Sequence, residues 1–142
     1  MSFYKWTPNK LKAAAGDFAA GGTQPADHAA LLPALDVADG LGRVMNNMKL
    51  YCRLLAKFPG PEIAHEISAA IQAGDQSKTA QSAHALKGVC ANLGLGELKN
   101  VSRHIEMRAK EAQATADLLP ALEQALTAAA TAIESLLASE ED

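Results

Sequence analysis

The sequence has few cysteines and no excess of basic charge, and each of these features excludes a class of protein. The two cysteines, Cys52 and Cys90, are too few for a disulfide-rich domain. They have neither a CxxC partner nor a histidine cluster that would indicate a metal or redox site, so we expect small core residues in a reducing compartment. With 13 Lys and Arg against 16 Asp and Glu, the net charge of −3 gives no electrostatic basis for nucleic-acid binding.

Long hydrophobic runs are also missing. Lys10, Lys12 and Asp17 interrupt the one candidate for a signal peptide near the start, and no later run approaches the length needed to span a membrane. We therefore expect a cytoplasmic protein that makes no membrane contact through this chain.

Aromatic residues make up only 4% of the sequence, although hydrophobic residues make up 49%. Alanine and leucine supply much of the apolar content and β-branched residues are scarce, so strong helix formers dominate. At 142 residues the chain is long enough for one domain with a normal core. This composition predicts an all-α protein.

Residues 1–32 read as a tail or linker that is helical in part. Thr7 and Pro8 resemble a helix start, and the Gly21-Gly22 pair stops the segment. The segment either packs as an extra helix or is the remnant of a join to an upstream domain, and the sequence leaves both interpretations open.

Residues 33–139 carry the helical periodicity. A short helix capped by Asp36 or Asp39 is followed by one from about residue 48 to residue 58, which Pro59-Gly60-Pro61 should kink or end. The expected inward residues of that second helix are Leu50, Leu54, Leu55 and Phe58. Further apolar faces follow before residue 74, over residues 75–93 and over 98–109, and the clearest pattern runs through the last helix, at Leu119, Leu122, Leu126, Ala129, Ile133, Leu136 and Leu137.

Four main amphipathic helices with short connections predict an antiparallel four-helix bundle, preceded by an additional short N-terminal helix or helices. Residues 140–142 should form a frayed acidic tail.

Residues 83–94, with the sequence AHALKGVCANLG, carry the candidate functional site. On a helix their residues separate into two faces, because positions three, four and seven apart lie together. The apolar face contains Ala83, Leu86, Cys90 and Leu93. The opposite face contains His84, Lys87, Gly88 and Ala91.

An isolated histidine on such a face is most often an ordinary polar surface residue. Here Lys87, one turn after His84, can approach an anion held at the imidazole. Gly88 costs a helix interior about 1 kcal/mol relative to alanine, and in return leaves an uncovered patch beside the ring. These neighbours favour a docking surface around a reactive nitrogen.

The stretch resembles the signature of the histidine phosphotransfer (HPt) domain of bacterial phosphorelays, roughly A-H-x-L-K-G-x-x-x-x-L-G. The matching residues are Ala83, His84, Leu86, Lys87, Gly88, Leu93 and Gly94. The resemblance extends from about residue 33 to residue 110, and is closest to the HPt modules of hybrid sensor kinases. The proline-rich connection at residues 58–61 is shorter than usual, and residues 1–30 have no counterpart in the core module.

This resemblance implies that His84 accepts a phosphoryl group, that Lys87 neutralises the charge of that group and that Gly88 gives access to it. Glu106 is the candidate for orienting the His84 ring. An equally weighted alternative is a surface glutamate paired with Lys110 or Arg103. Three further residues are expected to contact a partner, namely Ala91, Asn92 and Leu95.

The resemblance also implies the partners: response-regulator receiver domains, and in some arrangements a sensor histidine kinase. The chain should need no cofactor or metal of its own, since Mg²⁺ belongs to the receiver, and it should act as a monomer without an ATP site. Two alternatives to the role of a phosphorelay intermediate stay open. In the first, the chain is a helical interaction module that docks receivers or kinases without transfer. In the second, it is the phosphoacceptor fragment of a larger hybrid kinase.

Overall fold

The structure is a computed structural model in which residues 31 and 33–140 are described. These residues contain no β-strand. Their helices are α1 (Val37–Gly42), α2 (Met48–Ala56), α3 (Gly60–Gln72), α4 (Gln76–Leu93), α5 (Gly96–Lys110) and α6 (Leu119–Ser139), with a 3-10 turn at Ala116–Leu118 before α6. The predictions for residues 1–30 and 141–142 lie outside the described residues.

Helices α3 to α6 are the four long helices of the predicted bundle, and short connections make successive helices antiparallel. The most extensive packing joins α4 to α5 and α3 to α4, and α6 closes the bundle against α5 and α3. The apolar residues predicted for the last helix line the core, with Leu137 only partly buried. The all-α prediction and the helical bundle are confirmed.

Polar side chains begin several of these helices. The carboxylates of Asp36 and Asp75 accept hydrogen bonds from the backbone N–H groups of Asp39 and Lys78, which caps α1 and α4. The Asn47 side chain caps α2 in the same way. Proline is tolerated in the first turn of a helix but not in its interior. Pro61 accordingly lies in the first turn of α3, and residues 57–59 connect α2 to α3.

The inward face of α2 differs from the prediction at two of the four residues. Leu55 and Phe58 are buried as predicted, whereas Leu50 and Leu54 are 37% and 40% exposed and Tyr51 is buried instead. The buried Tyr51 hydroxyl donates to the backbone carbonyl of Leu93 at 2.6 Å, which together with core packing sets the rotation of α2. Leu50 and Leu54 each precede an inward residue by one position, which turns them towards solvent.

Gly94 joins the end of α4 to the N-terminal segment. It ends α4 in the left-handed conformation, with φ of 79°, and its carbonyl accepts a hydrogen bond from the Asp36 N–H at 2.8 Å. A Cβ atom at this position would collide with the Asp36 carbonyl oxygen. Gly94 is therefore required both by its backbone conformation and by the close approach of a second segment.

We predict that Gly94→Ala destabilises the fold much more than Gly74→Ala. Both glycines are left-handed, so alanine costs about 1 kcal/mol at either position. A Cβ at Gly74 meets no atom within 4 Å, whereas at Gly94 the collision adds about 1–3 kcal/mol. Urea unfolding of the two variants measures the difference. Equal losses of stability would contradict the close approach of Asp36.

Candidate functional site

Helix α4 presents His84 to solvent because its other face is held in the core. The predicted apolar residues Ala83, Leu86 and Cys90 are fully buried, while the His84 side chain is 68% exposed. The two faces predicted for residues 83–94 are therefore confirmed. The imidazole lies on the rigid central part of an 18-residue helix rather than on a loop.

Glu106 lies on α5, directly beside His84. His84 and Glu106 are the same number of positions from Leu95, one before it and the other after it. Because α4 and α5 form an antiparallel hairpin about Leu95, His84 and Glu106 lie at the same height. Glu106 Oε2 is 2.8 Å from His84 Nδ1. The Glu106 side chain is only 4% exposed, so it is no ordinary surface glutamate.

Two lysines complete the contacts of this carboxylate. Lys87 Nζ is 2.7 Å from Glu106 Oε1, and Lys110 Nζ is 3.0 Å from Oε2. The pair with Lys110 was the predicted alternative to the His84 contact, and the structure contains both contacts at once. Arg103, the other predicted alternative, points to the Met107 sulfur instead.

The charge state of Glu106 follows from these contacts. Burial alone favours the protonated acid, but the hydrogen bonds from Lys87, Lys110 and His84 outweigh it and lower the pKa of Glu106 from 4.5 to about 2. At neutral pH the carboxylate is ionised and can only accept hydrogen bonds. A neutral His84 therefore donates its Nδ1–H to Glu106 and keeps the lone pair on Nε2, to which no described residue hydrogen-bonds.

Gly88 leaves an open surface next to His84. A Cβ atom built on Gly88 meets no atom within 4 Å, and its backbone is ordinary helix. Neither packing nor conformation within the described chain requires glycine there. The surface beside His84 is therefore open at Gly88.

The residues predicted to contact a partner do not all lie on this surface. Asn92 is exposed and Ala91 is half-buried on α4, both at the surface. Leu95 is fully buried in the core, so its prediction as a partner contact is wrong. It sits in the tight connection between α4 and α5, where the chain reverses and its side chain turns inward.

An open groove of about 580 Å³ extends from His84 towards the start of α4. Gln76, Ser77 and Gln81 of α4 face Lys110 of α5 across it. Lys110 was predicted only as an alternative partner of Glu106 and not as a residue of the site. Its spacing of four residues from Glu106 was the signal that could have found it.

The other histidines and the cysteines lie outside this cluster. His65 and His104 are exposed, and neither has a contact with Glu106. Cys90 is buried and Cys52 half-buried, both as free thiols, and burial raises their pKa to about 12 and about 11. His28 lies outside the described residues.

The described part of the chain contains neither a metal-binding cluster nor a membrane-spanning helix. No cluster of three or more His, Cys, Asp or Glu side chains there could hold a metal ion. None of the helices in the same part combines the length and the apolar character needed to cross a bilayer.

The site is thus an exposed histidine, fixed by a buried carboxylate, on the surface of a helical bundle. Comparison with known families assigns this bundle to a family. The sequence profile of the Hpt domain matches residues 60–132, which covers α3 to α5 and most of α6. The chain belongs to the Hpt domain family, and so has a phosphotransfer role in two-component signalling. Searches of curated proteins and of solved structures found no match.

Family membership also gives the general mode of action. Hpt domains are phosphocarriers that have no ATP site of their own, and they interact with receiver domains and kinases in phosphorelays.

We predict that Glu106→Gln destabilises the fold at neutral pH and flattens its dependence on acid. Because the pKa of Glu106 is lower in the folded protein than its ordinary value of 4.5, the carboxylate stabilises the fold above pH 4.5. That contribution is lost as the pH falls towards 2, and its upper limit is about 3 kcal/mol.

Urea unfolding of wild type and variant between pH 7 and pH 2 measures this effect. Glu66→Gln is the matched control, because Glu66 is an exposed glutamate whose pair with Lys78, at 3.6 Å, contributes little. Parallel stability curves for wild type and Glu106→Gln would contradict the stabilising role of the ionised carboxylate.

Proposed function

We propose that His84 accepts a phosphoryl group from an aspartyl phosphate on one receiver domain and passes it to the aspartate of another. The observation that carries this proposal is the hydrogen bond of 2.8 Å between His84 Nδ1 and the buried Glu106 carboxylate. It selects the tautomer whose Nε2 is nucleophilic, on a side chain that is 68% exposed.

The transfer step balances as follows. The Nε2 lone pair attacks phosphorus, the Nε2–P bond forms, and the bond from phosphorus to the aspartyl oxygen breaks. The aspartate leaves as a carboxylate with the bonding electron pair. As Nε2 gives up its lone pair, positive charge develops on the ring, and the Glu106 carboxylate opposite Nδ1 compensates it.

The rest of the site serves positioning and charge, as expected for a phosphoryl transfer through a loose transition state. Glu106 acts as the orienting residue, and Lys87, 31% exposed and already at the cluster, supplies positive charge close to the phosphoryl oxygens. Gly88 clears the approach for the receiver. The receiver is expected to contribute the acidic pocket and Mg²⁺, as the family resemblance implies, so this chain needs no cofactor of its own.

We predict that His84→Gln abolishes phosphorylation without loss of fold. The ring is exposed and the glutamine amide can replace its hydrogen bond to Glu106, so the loss of stability should stay within about 1 kcal/mol. Both proteins are incubated with a phosphorylated receiver, and labelled product is tested for acid lability and base stability, while circular dichroism reports helix content.

Acid-labile, base-stable label that is absent from the variant is the expected result. Label that persists in His84→Gln would assign the phosphoryl group to another residue. Receiver binding without any label on the wild type would favour the interaction module that docks without transfer.

We predict that Gly88→Gln slows transfer from a receiver while the fold becomes no less stable. The new side chain has open space, and replacing an interior helical glycine improves helix propensity by up to about 1 kcal/mol. Ala69→Gln, which places the same side chain on an exposed position of α3, is the matched control.

Transfer rates from a phosphorylated receiver and thermal unfolding separate the two effects. The expected pattern is slow transfer in Gly88→Gln alone, with unchanged labelling by the small donor phosphoramidate. Unchanged receiver rates in Gly88→Gln would overturn the open-surface argument.

A further inference from the structure

We propose that Lys110 is a second cation for the phosphoryl group on His84, supplied by α5 from the side opposite to Lys87. This inference rests on the proposed function of His84. It adds a residue that the sequence signature of residues 83–94 does not include.

The first step is the charge count of the cluster. With a neutral imidazole, Glu106 contributes one negative charge and the two lysines contribute two positive charges. One lysine is enough to neutralise the carboxylate, so the cluster carries a surplus positive charge. A phosphoryl group on Nε2 brings an anion next to that surplus.

The second step is the direction from which each lysine arrives. Lys87 follows His84 by one turn on α4, so its side chain reaches Glu106 from the side of the α4 C-terminus. Lys110 follows Glu106 by one turn on the antiparallel α5, and therefore lies towards the start of α4. The imidazole is flanked by an ammonium group along both directions of the helix axis.

The third step is which lysine can leave the carboxylate. Lys87 makes the shorter contact, 2.7 Å, and is 31% exposed, whereas Lys110 is 3.0 Å from Oε2 and 64% exposed. Lys110 also shares Oε2 with His84 Nδ1, so that oxygen keeps a donor when Lys110 moves. The pair joins residues four apart on one helix and its lysine end lies in solvent, so the ammonium group can exchange this contact for one with another anion.

The fourth step is the space between Lys110 and the ring. Both line the open groove at the start of α4, where Glu106 and Lys110 are the charged residues among those that line it. The other polar residues of the groove, Gln76, Ser77 and Gln81, are neutral. The ammonium group of Lys110 can therefore turn from Oε2 towards an Nε2-linked phosphoryl group without crossing packed side chains.

The test phosphorylates His84 with phosphoramidate, which requires no receiver. In this reaction the Nε2–P bond forms, the donor P–N bond breaks, and ammonia leaves with the bonding electron pair. Phosphorus NMR then follows the titration of the phosphoryl group between pH 5 and 9 in wild type and Lys110→Met. Lys78→Met, which removes an exposed lysine paired with Glu66, is the matched control.

The expected result is a phosphoryl titration that moves to higher pH in Lys110→Met by several tenths of a unit, because a nearby ammonium favours the dianion. It should not move in Lys78→Met. In addition, the ε-methylene carbon resonance of Lys110 should shift on phosphorylation of the wild type.

The outcomes separate the two proposals. Phosphohistidine that titrates identically in wild type and Lys110→Met overturns the role of Lys110 and leaves the carrier function intact. A titration that moves in the further variant Lys87→Met but not in Lys110→Met does the same. No phosphohistidine from either phosphoramidate or a receiver would overturn the proposed function itself, and the role of Lys110 with it.

Discussion

A carboxylate can be taken out of water between two helices only when hydrogen-bond donors surround it, because an unpaired buried charge is strongly destabilising. Glu106 meets this condition with three nitrogen donors, two from α4 and one from its own helix. The contacts exist only while α4 and α5 keep one register. The short connection at Gly94 and Leu95 sets that register, and Asp36 and Tyr51 tie the end of α4 to the preceding segments through hydrogen bonds of 2.8 and 2.6 Å.

The division between exposed and buried groups explains how the site can be both accessible and ordered. His84 must meet a macromolecular partner, so its side chain has to lie at the surface, where a free imidazole would sample several rotamers. The bond to Glu106, whose own side chain is 4% exposed, restricts the ring without covering it. Gly88 also keeps the surface beside His84 accessible, because it has no side chain.

The sequence alone predicted the parts of this arrangement that depend on local pattern. The two faces of residues 83–94, the cap at Asp36, the helix over residues 75–93 and the long apolar face of α6 all follow from periodicity and end signals within one helix.

What it could not predict depends on how helices meet. The stripe of Leu50 and Leu54 is as apolar as that of Tyr51 and Leu55, and the bond of Tyr51 to α4 together with core packing decides between them. Leu95 is buried because the chain reversal between α4 and α5 turns its side chain inward, which the periodicity of a single helix does not indicate. For Glu106, the spacing of four residues predicted a pair with Lys110, and an antiparallel hairpin predicted a contact with His84. Neither pattern indicated that one buried carboxylate would contact both residues.

A carrier must release the phosphoryl group as readily as it accepts it, and on the proposed mechanism Glu106 serves both directions. While phosphorus is bonded to Nε2, the carboxylate stabilises positive charge on the ring, which keeps the imidazole a good leaving group. When the phosphoryl group departs, the lone pair returns to Nε2. The proton stays on Nδ1 and remains hydrogen-bonded to Glu106, so no proton has to enter or leave the site. The site is thus equivalent before and after a complete passage. On this mechanism, neither direction of transfer requires a net change in the protonation of the site.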